Sequence, residues 1–293
     1  MKIYSLFAGV LCALSVAQAS TIFADFNDLR ADSRLQTQDG GTGFTARWGE
    51  FGAGTEDYGG TGTIVVTDGD LQAPGRTGYR LNQSGSGHAV TGTHTAARNQ
   101  NRSITPFTGD VIYFSFLVQP SADGRIGIQF GDVGGVKSSS ADDPRVIAYG
   151  TSLFFGASNT DDVSVTHAFA VGEASLVVGR WDVDVDGTQD QLRLWVNPDL
   201  RSGEQGLLMH ETPLIDVTSD EIDLGTFDSI GINAYSTGSG DAGLLDMLYL
   251  SDEDDAFQQV TGVSPTAIPE SGAVGLLLGA GALSIVCLRR RQG

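Results

Sequence analysis

The chain has 293 residues, 40% of them hydrophobic, with 40 glycines, eight prolines and a formal net charge of −19. That balance excludes a polytopic membrane protein, a basic nucleic-acid binder and a disulfide-stapled miniprotein. The two cysteines, Cys12 and Cys287, stand at opposite ends, so the middle of the chain holds neither an internal disulfide nor a thiolate zinc site.

At the amino terminus, Lys2 precedes the apolar stretch Leu6 to Val16, and Ala17-Gln18-Ala19 supplies the small residues after which a signal peptidase cuts. Residues 1–19 therefore read as a signal peptide, cleaved before Ser20. A lipoprotein anchor at Cys12 would want a small residue before it, and Leu11 stands there. From Ser20 to Ala267 the chain carries 13 basic and 35 acidic residues, a net charge of −22. Polyanions such as nucleic acids are then poor partners, whereas neutral glycans and divalent cations stay open. Across the whole chain the acids are 28 Asp against 8 Glu. Asp suits turns and Glu suits helices, so many turns and few helices are expected.

The pattern along the chain agrees. One strand, Thr63 to Thr67, stands in the Gly-rich first part. Asp110 to Gln119 is a continuous apolar strand, and period-two segments follow at Arg125–Phe130, Arg145–Tyr149, Ser152–Phe155 and Val163–Phe169. Further strands are predicted at Ser175–Asp184, Gln191–Val196, Phe227–Ala234 and Leu244–Leu250, with no amphipathic helix of three turns between them. The predicted class is all-β and antiparallel, with residues 20–267 as one domain. Val177-Val178-Gly179-Arg180-Trp181-Asp182, Asp186-Gly187 and Leu192-Arg193-Leu194-Trp195-Val196-Asn197-Pro198 together resemble the central hairpin of concanavalin A-like, laminin-G-like domains. Phe227 to Ile232 and Leu245 to Ser251 resemble the last two strands of that fold. The resemblance, over residues 105 to 255, implies a jelly-roll β-sandwich.

Candidate site residues gather at the hairpin. Asp182, Asp184, Asp186 and Asp190 form the Asp-x-Asp-x-Asp-Gly start of a calcium loop, although position twelve is Arg193 rather than Glu. The other reading is a strand with one polar face entering a tight Asp-Gly turn. Arg193 and Trp195 project from one strand face, opposite Leu192, Leu194 and Val196, and suit a sugar: a flat ring for stacking beside a planar donor. Tyr113 and Tyr149 offer rings from neighbouring strands. The alternative places Trp195 in the core between two sheets. Asp220-Glu221-Ile222-Asp223-Leu224 begins like the Glu-x-Asp-x-x-Glu strand of laminarinase-type glycosidases, but Gly225 and Thr226 stand where the second Glu belongs. Without it that route has no proton donor. No Gly-x-Ser-x-Gly elbow, His-Glu-x-x-His pair or phosphate-cradling loop is present, and His88, His94, His167 and His210 are scattered.

At the carboxyl end, Gly272 to Leu288 is an uncharged run of 17 residues followed by Arg289, Arg290 and Arg291, the pattern of a short membrane-spanning helix with a cytoplasmic basic end. Just before it lies Ile268-Pro269-Glu270-Ser271. A Pro-Glu pair, a short apolar helix and an Arg cluster resemble the PEP-CTERM sorting signal of Gram-negative bacteria. Ser271 replaces the second Pro of that motif. The resemblance implies recognition of Pro269 and Glu270 by an exosortase-type enzyme, a transient inner-membrane anchor, and release to the cell surface or matrix. The expected function is a glycan-binding or adhesive component that engages extracellular polysaccharide. The alternatives are a structural matrix protein without a ligand pocket, and a hydrolase.

Overall fold

The computed structural model describes residues 20–36, 38–49, 63–81, 87–93, 98–131, 144–156, 163–185, 189–219, 227–236 and 240–264. The signal segment 1–19, Asp186, the stretch Asp220–Leu224 and the sorting segment 268–293 lie outside the described residues. Among the described residues, no helix is long and apolar enough to cross a membrane.

Two antiparallel sheets form a sandwich. The larger contains β1 (Thr21–Ala24), β2 (Ser33–Arg34), β3 (Thr63–Asp68), β4 (His88–Thr93), β6 (Val111–Pro120), β11 (Ser175–Asp182), β12 (Asp190–Val196), β13 (Ile215–Ser219) and β15 (Gly243–Ser251). Its order is β13-β12-β11-β6-β15-β4-β3-β2, with β1 on the far half of β15. The smaller sheet runs β10-β9-β8-β7-β14-β5, from β5 (Arg98–Ser103), β7 (Gly124–Gly131), β8 (Arg145–Tyr149), β9 (Ser152–Gly156), β10 (Val163–Val165) and β14 (Ser229–Ser236). Each strand expected from the period-two pattern is present, and β1, β2, β4, β5 and β13 add to them. β10 stops at Val165 rather than Phe169 because His167 takes a φ of 62°, after which Phe169 turns inward and is buried.

Alternation places one row of each strand between the sheets. Ile112, Phe114, Phe116 and Val118 of β6, Val177 and Trp181 of β11, and Leu192 and Leu194 of β12 meet Ile126, Ile128 and Phe130 of β7 and Phe155 of β9. Trp181 sits edge-on to Phe130 at 5.8 Å and to Phe155 at 5.6 Å. Gly179 lies under the Phe114 ring, whose Cζ is 2.0 Å from where a Cβ would stand, so only glycine lets that ring fill the layer.

The larger sheet is buried on its other face too. Tyr113, Leu117, Leu176, Val178, Trp195 and Met247 form a second cluster under the segment 69–81 and two short helices, α1 (Gly203–His210) and α2 (Ala256–Thr261). Helices of eight and six residues are too short to hold themselves, so this packing holds them. A bulge in β15 between Asp246 and Tyr249, with Met247 at a φ of 53°, turns Asp246 and Met247 to the same outer side. There Asp246, wholly buried, accepts from Leu71 N at 3.0 Å and from Met247 N at 2.7 Å, pinning the covering segment to the sheet.

Burial, helped by the neighbouring Asp70 carboxylate and against those two amides, raises the Asp246 carboxyl to about 8. A carboxyl raised in the folded state holds its proton there while the unfolded chain, near its ordinary value of about 3.9, has lost it. Its contribution is complete below that unfolded value and is lost as the pH rises through about 8. The melting temperature is therefore expected to fall as the pH is raised from 5 to about 9. Asp246→Asn should flatten that slope, as followed by circular dichroism; an equal slope in both proteins would show that another group governs it.

Candidate functional site

Of the hairpin residues singled out in the sequence, Asp182, Arg193 and Trp195 fall on the outer face of the larger sheet, whereas Asp190 shares the strand parity of the inward Leu192 and Leu194. Tyr113, Arg180, Arg193 and Asp216 stand in register across β6, β11, β12 and β13. The row is tied by charge. Asp182 accepts from Arg180 Nε at 2.9 Å and from a terminal nitrogen at 2.5 Å, and it also holds the Arg193 guanidinium. Tyr113 Oη donates to Glu204 Oε1 at 2.6 Å and receives Arg180 at 3.0 Å. Burial raises the Tyr113 phenol, with Glu204 adding to it. For Arg180 burial pulls the other way, but Asp182 and Tyr113 outweigh it and the guanidinium is held above its usual range.

This arrangement corrects the expected sugar platform. Arg193 and Trp195 do share a face opposite Leu192 and Leu194, but Trp195 is only 2% exposed. Its ring lies in the outer cluster with Leu200 and Leu207, and its Nε1 donates to Glu211 O at 3.1 Å. Trp195 is thus neither a surface ring nor between the sheets, and Arg193 is committed to Asp182. At the proposed calcium loop, Asp184 N donates to Asp190 Oδ1 at 2.9 Å, while Asp182 is given to two guanidiniums. Among the described residues, no three His, Cys, Asp or Glu side chains converge as metal ligands.

A different face has the chemistry sought. On the outer side of the smaller sheet, Tyr149, Arg125 and Tyr235 are register partners on β8, β7 and β14. The Arg125 guanidinium lies 4.6 Å from the Tyr149 ring centre and 5.9 Å from that of Tyr235. The next row is Phe154, Ile147, Gly127 and Asn233, with the Phe154 ring 6.1 Å from Tyr149. The third is Gly156, Arg145, Gln129, Gly231 and Asn101. Arg125 is exposed, and Tyr149, Phe154 and Tyr235 are half-buried. Gly127 is required by close strand approach: a Cβ there would meet Val146 O at 2.0 Å. Gly231 leaves room for Asn101, whose buried Oδ1 has no partner among the described residues.

The first two rows, with the Tyr149, Tyr235 and Phe154 rings, the Arg125 guanidinium and the Asn233 amide beside Gly127, make a shallow polar-aromatic surface, while Gln129 of the third row is buried. Such a surface stacks on the C–H face of a sugar ring and grips its hydroxyls from the side. The paired strand positions of this face include no Asp or Glu. Tyr149 was visible in the sequence as a candidate but belongs to this sheet, not beside Trp195. Arg125 and Tyr235 were missed because each looks like an ordinary polar-face residue until strand neighbours are known. Their signal is parity: Ile126, Ile128, Ile232 and Ala234 point inward, so their neighbours point out.

No family model matches the sequence, and no curated protein matches it significantly. Among solved structures, a protein of unknown function from Shewanella oneidensis MR-1 is similar at a TM-score of 0.40 and 11% identity, over 81% of this chain and 88% of that one. The metal-free carbohydrate recognition domain of Emp46p is similar at 0.38 and 11%, over 64% and 88%. The carbohydrate-binding module CBM66 from Bacillus subtilis is similar at 0.34 and 10%, over 62% and 91%. Likenesses this loose carry nothing over to the residues of either face.

Trp48, Trp181 and Trp195 are the only tryptophans, exposed by 0%, 0% and 2%. Native emission should therefore be blue-shifted and resist iodide quenching, and both properties should be lost in urea. A native emission quenched by iodide as readily as the unfolded chain would return Trp195 to the surface.

Proposed function

We propose that this chain is an exported, surface-sorted β-sandwich of the concanavalin A-like jelly-roll kind that holds an extracellular polysaccharide without hydrolysing it. The ligand lies across the outer face of the smaller sheet. The observation that carries this reading is the row Tyr149–Arg125–Tyr235, two rings flanking one guanidinium on three adjacent strands of an open sheet face. Its length suits a chain rather than a single sugar. Strands lie about 4.8 Å apart, so the two tyrosine positions are about 10 Å apart, roughly two pyranose units. In a protein of net charge −19, a face with Arg125 and Arg145 and no strand carboxylate does not repel a polysaccharide that carries uronates.

Delivery is read from the ends of the sequence. Residues 1–19 direct export and 20–267 form the working domain. Residues 268–293 serve as the sorting segment, with Pro269 and Glu270 as the recognition pair for an exosortase-type enzyme and Arg289, Arg290 and Arg291 holding the helix end in the cytoplasm. The inner membrane is then a transient anchor and the cell surface or matrix the destination.

Glycan-array binding by the purified protein tests the assignment. Binding is expected to polysaccharides and to weaken at least about tenfold in Tyr149→Ala and in Tyr235→Ala, because loss of a stacked anchor costs about 1.4 kcal/mol or more. Arg193→Ala should leave binding unchanged. A protein that binds no glycan would instead favour a structural matrix role, and binding that survives both tyrosine changes would place the glycan away from this face.

A further inference from the structure

β1 enters the larger sheet from its first residue. Thr21 to Ala24 pair with Ser251 to Leu248, Thr21 Oγ1 meets Ser251 Oγ at 3.1 Å, and Phe23 stacks on Tyr249 at 4.1 Å. One residue upstream, Ser20 N donates to Asp252 Oδ1 at 2.5 Å, and Asp252 N returns a bond to Ser20 O at 3.3 Å. The second carboxylate oxygen, Oδ2, accepts from Thr108 N at 2.7 Å and Gly109 N at 2.9 Å. Asp252 is only 9% exposed, and its partners among the described residues are these backbone amides, with no guanidinium or imidazole. A cleft of about 330 Å³ opens beside it, lined also by Asp110, Glu253 and Asp254. The site is built around a negative charge, and its Ser20 position lacks the cation that would match it.

The residue aimed at Asp252 is the one that follows Ala17-Gln18-Ala19. We infer that leader removal at the Ala19–Ser20 bond creates the ligand of this site, and that Asp252 is the receptor for the new amino-terminal ammonium. This rests on the leader reading. In the hydrolysis the C–N bond breaks, the water hydroxyl goes to the Ala19 carbonyl carbon and its proton to Ser20 N. The acid so formed gives up its proton to the same nitrogen, leaving a carboxylate on the leader and an ammonium on Ser20. A hydrogen bond from an uncharged amide to the Asp252 carboxylate thereby becomes an ammonium–carboxylate ion pair, with the donor already in place. The mature chain locks β1, the 108–109 turn and the end of β15 through one carboxylate, and the precursor holds them less firmly.

After cleavage the chain retains a single lysine, Lys137, so Ser20 and Lys137 supply its only amines. The full chain is exported from a Gram-negative host, its first residue is read by mass spectrometry, and both amines are acylated at pH 7 with an N-hydroxysuccinimide ester, native and in urea. The protein is expected to begin at Ser20. Its α-amine should react at least about tenfold more slowly in the native state than in urea, since each unit by which the pairing raises an amine lowers its free-base fraction tenfold. Asp252→Asn can keep Thr108 and Gly109 on its amide oxygen while turning an NH₂ toward Ser20, so it should restore the fast rate at Ser20 and leave Lys137 unchanged. A chain beginning elsewhere overturns the leader reading and this inference together. A chain beginning at Ser20 whose native amine reacts at the unfolded rate overturns the receptor alone. Glycan binding through Tyr149 and Tyr235 is measured independently of both.

Discussion

The structure depends on one constraint: the central strands of the larger sheet are apolar on both sides. β6 carries Phe114 and Phe116 toward the smaller sheet and Tyr113 and Leu117 away from it, and β11 does the same with Trp181 and with Leu176 and Val178. A face of that kind is not left to water. It is covered by segments with little secondary structure of their own, and their backbone polar groups need partners once buried. The polar residues of the outer face meet that need. Asp246 takes Leu71 N, Ser115 Oγ donates to Val260 O at 2.5 Å, and Trp195 Nε1 donates to Glu211 O at 3.1 Å. What looks like a line of functional side chains is, on this face, the fastening of a lid.

The smaller sheet follows the ordinary rule for antiparallel sheets, apolar inward and polar outward. Ile147 and Gln129 are buried among its outward positions, while Arg125 is exposed and Tyr149, Phe154 and Tyr235 are half-buried. The acidic groups are placed elsewhere. Asp182 is neutralised by two arginines, Asp246 keeps its proton, Asp252 serves backbone amides, and Asp199 and Arg201 pair on the surface. No carboxylate stands at the paired strand positions of the face read as the binding surface.

The fold was largely legible because period-two alternation is a direct image of the pleat. The continuous apolar run at β6 was read as a strand, and the structure shows it buried on both faces. The early strands were harder. β4, His88–Thr93, is broken by Gly92 near its end, and β5, Arg98–Ser103, is wholly polar, as befits an edge strand. Arg102 of β5 points inward, stacked at 4.1 Å on Phe44 and held by Asp39, a buried guanidinium that no hydrophobic pattern reveals. Trp195 shows the limit of alternation for sites. Period two states which residues share a face, but not whether another part of the chain lies on it. The covering signal was weak but present, in Leu200 and Leu207 on a short segment just after Asn197-Pro198.

β15 concentrates these requirements in one strand. Its middle carries the bulge that turns Asp246 to the covering segment, and its end carries Asp252, which gathers Ser20, Thr108 and Gly109. The two carboxyls solve opposite problems. Asp246 is buried beside another acid and is kept neutral, so it fastens the lid without adding charge. Asp252 sits at the sheet's rim among amide donors, where a charge is satisfied without an arginine. Strand pairing alone would leave β1 as a four-residue strip on half of β15, a short contact for a strand with no other partner in the sheet order. A carboxylate that takes Ser20 N on one oxygen and Thr108 N and Gly109 N on the other fixes the residue before β1 by a side chain as well as by strand pairing.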